Sequence, residues 1–227
     1  MNTVSPPQTE INSVLALYSN GQIQEALGAV ETLIKDYPND PFLYSISGAC
    51  FAGLGQLDRA LKSYEKALTI KPDYAEMHYN LGVTLQALGQ LDAAVKCFEK
   101  AIAIKSDYAD AYINLGITLK NLGQLDAAVK SYEQALAINP NYAKAHNNLG
   151  NVLDDLGQLD AAVKSYEQAL AINPDFAEAH NNLGNTLKNL GQLDVSIKSF
   201  EQALAIKPDY AEAHNNLGNA LTNTRQL

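Results

Sequence analysis

Between Ala75 and Ile104 the apolar residues fall in two runs of helical spacing. Leu81, Leu85 and Leu88 form one stripe, and Leu91, Val95, Phe98 and Ile102 form a second. Gly89 lies between the runs, where a helix needs a left-handed exit. The pattern predicts two helices joined by a short turn, and it then recurs along the chain. Residues 143–176 and 177–210 differ at only ten of 34 positions. Steps of 34 divide the chain into units at 7–40, 41–74, 75–108, 109–142, 143–176 and 177–210, with a half unit at 211–227. The turn glycine recurs as Gly21, Gly55, Gly123, Gly157 and Gly191. A fixed period of this length marks stacked supersecondary units, none of which buries its apolar face alone. The expected fold is all-α, a solenoid of helix-turn-helix units.

The polar positions punctuate the same frame. Pro72, Pro140, Pro174 and Pro208 stop each second helix. Asp73, Asp175 and Asp209 follow as candidate N-caps, with Glu76, Glu178 and Glu212 three residues on in an aspartate form of the capping box. Asp92, Asp126, Asp160 and Asp194 suit the positive end of each second helix. The first unit is degenerate and carries Val14 where the others have glycine. Residues 1–6 are expected to be a flexible lead. The pattern reaches Leu227 after one helix of a pair, so a fragment of a longer protein is expected, with a lone capping helix as the alternative.

The unit at 109 carries Tyr112, Leu115, Gly116, Leu119, Ala128, Tyr132, Ala135 and Pro140 at positions 4, 7, 8, 11, 20, 24, 27 and 32. This arrangement resembles the tetratricopeptide repeat, and the resemblance covers residues 7–227. Departures are few: Ser106 replaces proline, Ser196 replaces alanine, and the first unit is weak. Ser106 is expected to loosen its junction. The small residues at 8, 20 and 27 let paired helices approach, and the aromatic at 24 fills the remaining gap. The resemblance implies a right-handed superhelix whose first helices line a concave groove, with positions 2, 5, 6, 9, 12 and 13 facing a ligand.

Position 6 holds asparagine five times, as Asn80, Asn114, Asn148, Asn182 and Asn216. The column resembles the asparagine ladder in the repeats of O-linked N-acetylglucosamine transferase, which clamps an extended peptide. A carboxamide offers donor and acceptor to each peptide unit without selecting side chains. The alternative is that these amides bond only within their own or a neighbouring unit. Positions 5 and 9 are apolar in the third and fourth units, as Tyr79, Val83, Ile113 and Ile117. They become Asn147, Asn151, Asn181, Asn185, Asn215 and Asn219 further on. One bound chain would therefore anchor an apolar side chain near Tyr79 and Ile113 and run its backbone over the amides. The apolar part could instead be covered by the chain's own terminus or by a second copy.

Composition narrows the partner. The net charge is −9, which disfavours nucleic acid and favours a neutral to basic protein or peptide. Positions 5 and 6 carry no lysine or arginine, which excludes a carboxylate clamp; Lys120, Lys144 and Lys188 stand apart among Asp154 and Glu178. His78, His146, His180 and His214 all occupy position 4, a whole repeat apart, too far to share one metal ion. They are expected to be packing residues. Cys50 and Cys97 are expected to be buried free thiols of a reducing compartment. No apolar run reaches 18 residues, so a cytoplasmic protein away from membranes is expected.

Nothing supports catalysis, a metal or a cofactor. The resulting expectation is a protein-interaction scaffold that grips an extended peptide. Two alternatives are the substrate-recognition arm of a larger, glycosyltransferase-like enzyme and an architectural repeat that self-associates through its exposed last helix.

Overall fold

The computed structural model describes residues 5–224. Helices α1 (Gln8–Ser19) and α2 (Ile23–Asp36) make the first pair, and α3 (Pro41–Gly53) and α4 (Leu57–Ile70) the second. Next come α5 (Ala75–Ala87) with α6 (Leu91–Ile104), then α7 (Ala109–Asn121) followed by α8 (Leu125–Ile138). The series continues with α9 (Ala143–Asp155) and α10 (Leu159–Ile172), then α11 (Ala177–Asn189) and α12 (Leu193–Ile206), and reaches α13 (Ala211–Thr224). The chain gathers into two compact units, residues 1–118 and 119–227, divided within α7. In each unit a second helix packs on its own first helix and on the first helix of the next pair, as α4 does on α3 and α5, and α10 on α9 and α11. That is the packing of an α-solenoid. Residues 1–4 of the expected lead lie outside the described residues, while Ser5–Pro7 are non-helical and Pro6 is buried.

Four of the pairs close on one glycine and one aromatic ring. A Cβ added to Gly82 would stand 2.7 Å from Cε1 of Phe98; at Gly48, Gly150 and Gly184 the matching distance is 2.6 Å to Tyr64, Tyr166 and Phe200. The helices thus approach until a ring lies directly on backbone. Flanking alanines complete the contact: Ala94 and Ala101 are fully buried on either side of Phe98, as are Ala162 and Ala169 beside Tyr166. The most buried line of α6 is therefore Ala94, Phe98 and Ala101, whereas Leu91, Val95 and Ile102 of the expected stripe are only half-buried. The first pair solves the same problem differently. Val14 and Val30, both buried, take the glycine and aromatic positions and divide the volume between them.

The turns follow from backbone geometry. Gly89 has φ +73°, and its N–H donates to the carbonyl of Gln86 while that of Gln90 donates to Leu85. These two bonds are a Schellman motif, which needs a left-handed residue and so favours glycine. At the far end of each second helix, the residue before proline swings out of helical space, as at Asn139 with φ −130° and ψ 91°. Lys105 precedes Ser106 and still holds φ −130° and ψ 93°. The angles closely match those before proline, although no proline follows. Ser196, the other departure, is fully buried and donates its hydroxyl to the Gly184 carbonyl at 2.7 Å.

Two expectations about polar residues need correction. Asp73 and Asp175 are not N-caps, since Tyr74 and Phe176 occupy those positions without a side-chain cap bond. The chain enters these helices one residue later than the capping pattern implies, whereas Asp40 does cap α3 by its side chain, accepting from the N–H groups of Phe42 and Leu43. The histidines, expected only to pack, are clasps. Nε2 of His78, His146, His180 and His214 lies 2.8 to 3.0 Å from the carbonyls of Pro72, Pro140, Pro174 and Pro208. Tyr44 donates to the Pro38 carbonyl in the same way.

Gly150→Ala should cost about 1–3 kcal/mol, because the ring of Tyr166 must move; Gly218→Ala, with nothing within 4 Å of the added carbon, should leave stability unchanged or higher by about 1 kcal/mol. Paired urea titrations read the difference. Burial also keeps the phenols neutral: Tyr108 is pushed up to about 12, and Tyr64, Tyr132 and Tyr166 higher still. Because these folded values exceed the ordinary value of 10.0, the associated stability is complete below pH 10 and falls as pH rises through 12. Melting temperature against pH, followed with tyrosinate absorbance, should show ionisation of the buried tyrosines only as the chain unfolds.

Candidate functional site

The first helices of the second unit, α9, α11 and α13, bring the amide-rich positions onto one face. Position 6 does not point at solvent alone. Nδ2 of Asn182 donates to Oδ1 of Asn147 at 3.1 Å and of Asn151 at 2.9 Å. Nδ2 of Asn216 donates to Oδ1 of Asn181 at 3.0 Å, and Asn181 donates onward to Glu212 at 3.1 Å. In the first unit Asn114 donates to the hydroxyl of Tyr79 at 3.0 Å and to the Asp110 carbonyl. Three of the five position-6 asparagines, one in the first unit and two in the second, donate to position 5 of the preceding repeat. The amides hold neighbouring first helices in register as well as lining the face.

The sequence-picked residues therefore differ in what they can reach. Asn181 is fully buried, Asn147 is 4% exposed and Ile113 is 7% exposed. These three belong to the floor. Asn80, Asn148, Asn151, Asn182, Asn185 and Asn216 are half-buried, with one side open. Asn80 and Asn148 make no side-chain hydrogen bond among the described residues, which leaves their full donor and acceptor capacity available. Tyr79 is half-buried as well. Its ring lies 5.0 Å from that of Tyr108 and 6.0 Å from that of Phe98, both tilted, so it is held as part of an aromatic group.

In the second unit the open sides of Asn151, Asn182 and Asn185 line a polar cleft of about 240 Å³ with Asp154, Tyr166 and Thr186. Its walls are braced from within. Tyr166 donates to Asn151 at 2.8 Å, and Thr186 donates to Asp154 at 2.6 Å. Lys120 and Asp155 pair at 3.1 Å across the rim. Burial, with Asp154 nearby, pushes the Tyr166 phenol up, so it remains a neutral donor. The Thr186–Asp154 bond and its counterpart in the first unit, Gln86 to Thr118 at 3.1 Å, were missed by the position pattern. The available signal was a threonine at position 10, inside an otherwise apolar stripe, with a polar residue at position 12 one repeat earlier.

The thiols divide. Cys50 is buried and Cys97 only half-buried, a correction to the expectation that both are enclosed. Burial raises both thiols; at Cys97 the neighbouring Lys100 opposes this and Glu65 adds to it.

Tetratricopeptide repeat profiles match residues 48–89, 150–191 and 184–224, with further matches at 73–141 and 131–164. The chain belongs to the tetratricopeptide repeat family. Among solved structures, MamA is 30% identical with a TM-score of 0.68, over 73% of this chain and 96% of that one. YrrB, described as a tetratricopeptide protein with an unusual peptide-binding site, is 26% identical at TM-score 0.69, over 82% and 96%. PilW, a type IV pilus biogenesis factor, shares the fold at 23% identity and TM-score 0.83, over 92% and 97%. No curated protein sequence matched. Tetratricopeptide repeats of this kind form a protein-interaction scaffold, and that is the class of this chain. No helix among the described residues is long and apolar enough to cross a membrane.

The two kinds of ladder amide should separate by mutation. Asn182→Ala removes two bonds between neighbouring repeats and should destabilise by about 1–2 kcal/mol. Asn148→Ala, which breaks none, should stay within about 0.5 kcal/mol. Urea denaturation of both variants checks this.

Proposed function

We propose that the amide-lined face of α9, α11 and α13 binds an extended segment of a partner protein through its backbone. The observation that carries this reading is the braced cleft. Asn151, Asn182 and Asn185 reach it from two neighbouring repeats; Asn151 accepts from Tyr166 and Asn182, and Asn185 accepts from Lys188, so they are held there without the ligand. A surface already fixed before binding loses little conformational freedom on capture. Asn148, whose amide has no internal bond, extends the same row. Amides on successive helices, on the order of 10 Å apart, meet an extended chain about every three residues.

The amides read backbone, so side-chain selection rests on what surrounds them. Asp154, Glu178 and Glu212 outnumber Lys144 and Lys188, and the whole chain carries −9. The preferred segment is therefore neutral to basic. In the first unit, Tyr79 is the apolar contact point, with Ile113 beneath the surface as support. A binding role is favoured over catalysis, because the polar residues of the face are engaged in holding helices in register.

A peptide library selected on the 227-residue chain tests the reading. Selected peptides should be extended and neutral to basic. Their affinity should fall about tenfold or more in the Asn148→Ala/Asn185→Ala double variant, with the melting temperature nearly unchanged. Equal affinity for that variant, or crosslinks confined to α10 and α12, would overturn the proposal.

A further inference from the structure

At positions 5, 6 and 9 the helices α9, α11 and α13 all carry asparagine. A row this uniform grips a backbone without fixing which residue lies over which repeat. One address on the same face breaks the sameness. Position 12 is Lys120 in α7, Asp154 in α9 and Lys188 in α11, so the charge alternates from repeat to repeat. The first of these charges is engaged, since Lys120 pairs with Asp155 at 3.1 Å. Asp154 and Lys188 make no ion pair among the described residues. Both are instead held by neutral partners of the cleft. Asp154 accepts from the Thr186 hydroxyl at 2.6 Å, and Lys188 donates to Oδ1 of Asn185 at 3.4 Å. Both residues are half-buried, so their charges are screened less than on an open surface. The other charges of the face stand apart: Lys144, Glu178 and Glu212 lie at position 2, about 15 Å nearer the helix N-termini, and Glu212 is engaged by Asn181.

An unpaired anion and an unpaired cation therefore stand one repeat apart, beside the amides. Packed helices lie on the order of 10 Å apart. A polyproline-II chain has three residues per turn and a rise of about 3.1 Å, so its side chains at i and i+3 point the same way about 9 Å apart. A flat β-strand would turn the second of them to the opposite side. Resting on the reading that this face holds an extended segment, we propose that Asp154 and Lys188 set the register of that segment. They do so by taking one basic and one acidic side chain, three residues apart on a polyproline-II backbone, with the basic residue over α9 and the acidic one over α11. The recognised segment is charged at two points and neutral in sum. Slipping by one repeat in either direction sets a like charge on Lys188 or on Asp154. Charge matching of this kind selects a register more than it adds affinity, and register is what the uniform amide row leaves open.

The test selects one random peptide library twice, on the intact chain and on the charge-inverted variant Asp154→Lys/Lys188→Asp. Peptides from the first selection should share a basic and an acidic residue three apart. Those from the second should carry the same pair in reverse order. Each set should bind the other chain about tenfold more weakly. The discrimination should fade in about 1 M salt, where the screening length is about 3 Å. Asp154→Asn keeps an acceptor for Thr186 and removes only the charge, so it should lose the preference for the basic residue at an unchanged melting temperature. The same consensus from both chains, or a preference that survives high salt, overturns the proposal. If such binding still falls in Asn148→Ala/Asn185→Ala, the amide face remains a peptide site without a charge-set register. No binder to either chain, or binding indifferent to that double variant, removes both.

Discussion

The fold depends on one close contact repeated along the chain, an aromatic ring laid on a glycine of the facing helix. Glycine in a helix interior costs about 1 kcal/mol relative to alanine. It persists at positions 48, 82, 150 and 184 because a methyl group there would stand within 2.7 Å of ring carbon. The alanines beside each ring follow from the same closeness, since a larger side chain would hold the helices apart. Where the first pair departs, it departs on both sides at once. Val14 replaces the glycine and Val30 replaces the ring, so the volume is redistributed rather than exceeded.

A solenoid made this way still has to fix how one pair sits on the next. Apolar stacking is non-directional, and near-identical repeats offer little to distinguish one register from another. Directional bonds supply the missing constraint. Histidine or tyrosine at position 4 reaches the proline carbonyl of the previous repeat, and at position 6 Asn114, Asn182 and Asn216 reach back to position 5 of that repeat. Within the amide column Asn182 braces neighbouring helices, while Asn148 makes no side-chain hydrogen bond among the described residues. In the second unit the same bonds brace the amide face from within, and asparagine supplies both its buried and its open positions.

Much of the fold was legible in the sequence. The 34-residue period, the turn glycines and the Gly–Ala–aromatic–Ala spacing are local and covalent in origin. They determine helix number, turn type and the class of packing without reference to the rest of the molecule. The positive φ at Gly89 and its five counterparts follows from the chain having to reverse within about three residues.

The tertiary structure decided the partners of the polar groups. Whether Asn148 and Asn182, adjacent repeats of one address, are free or bonded depends on what the neighbouring helix presents. Whether Asp175 caps a helix depends on where the chain enters it, which the packing of the preceding turn sets. The histidine column reads as bulk in the sequence, yet its ring nitrogens meet carbonyls that only the stacking of repeats brings within 3.0 Å. A periodic sequence states which side chain occupies each address. Hydrogen bonds between repeats depend on the distance and angle between addresses, and those exist only once the helices are packed.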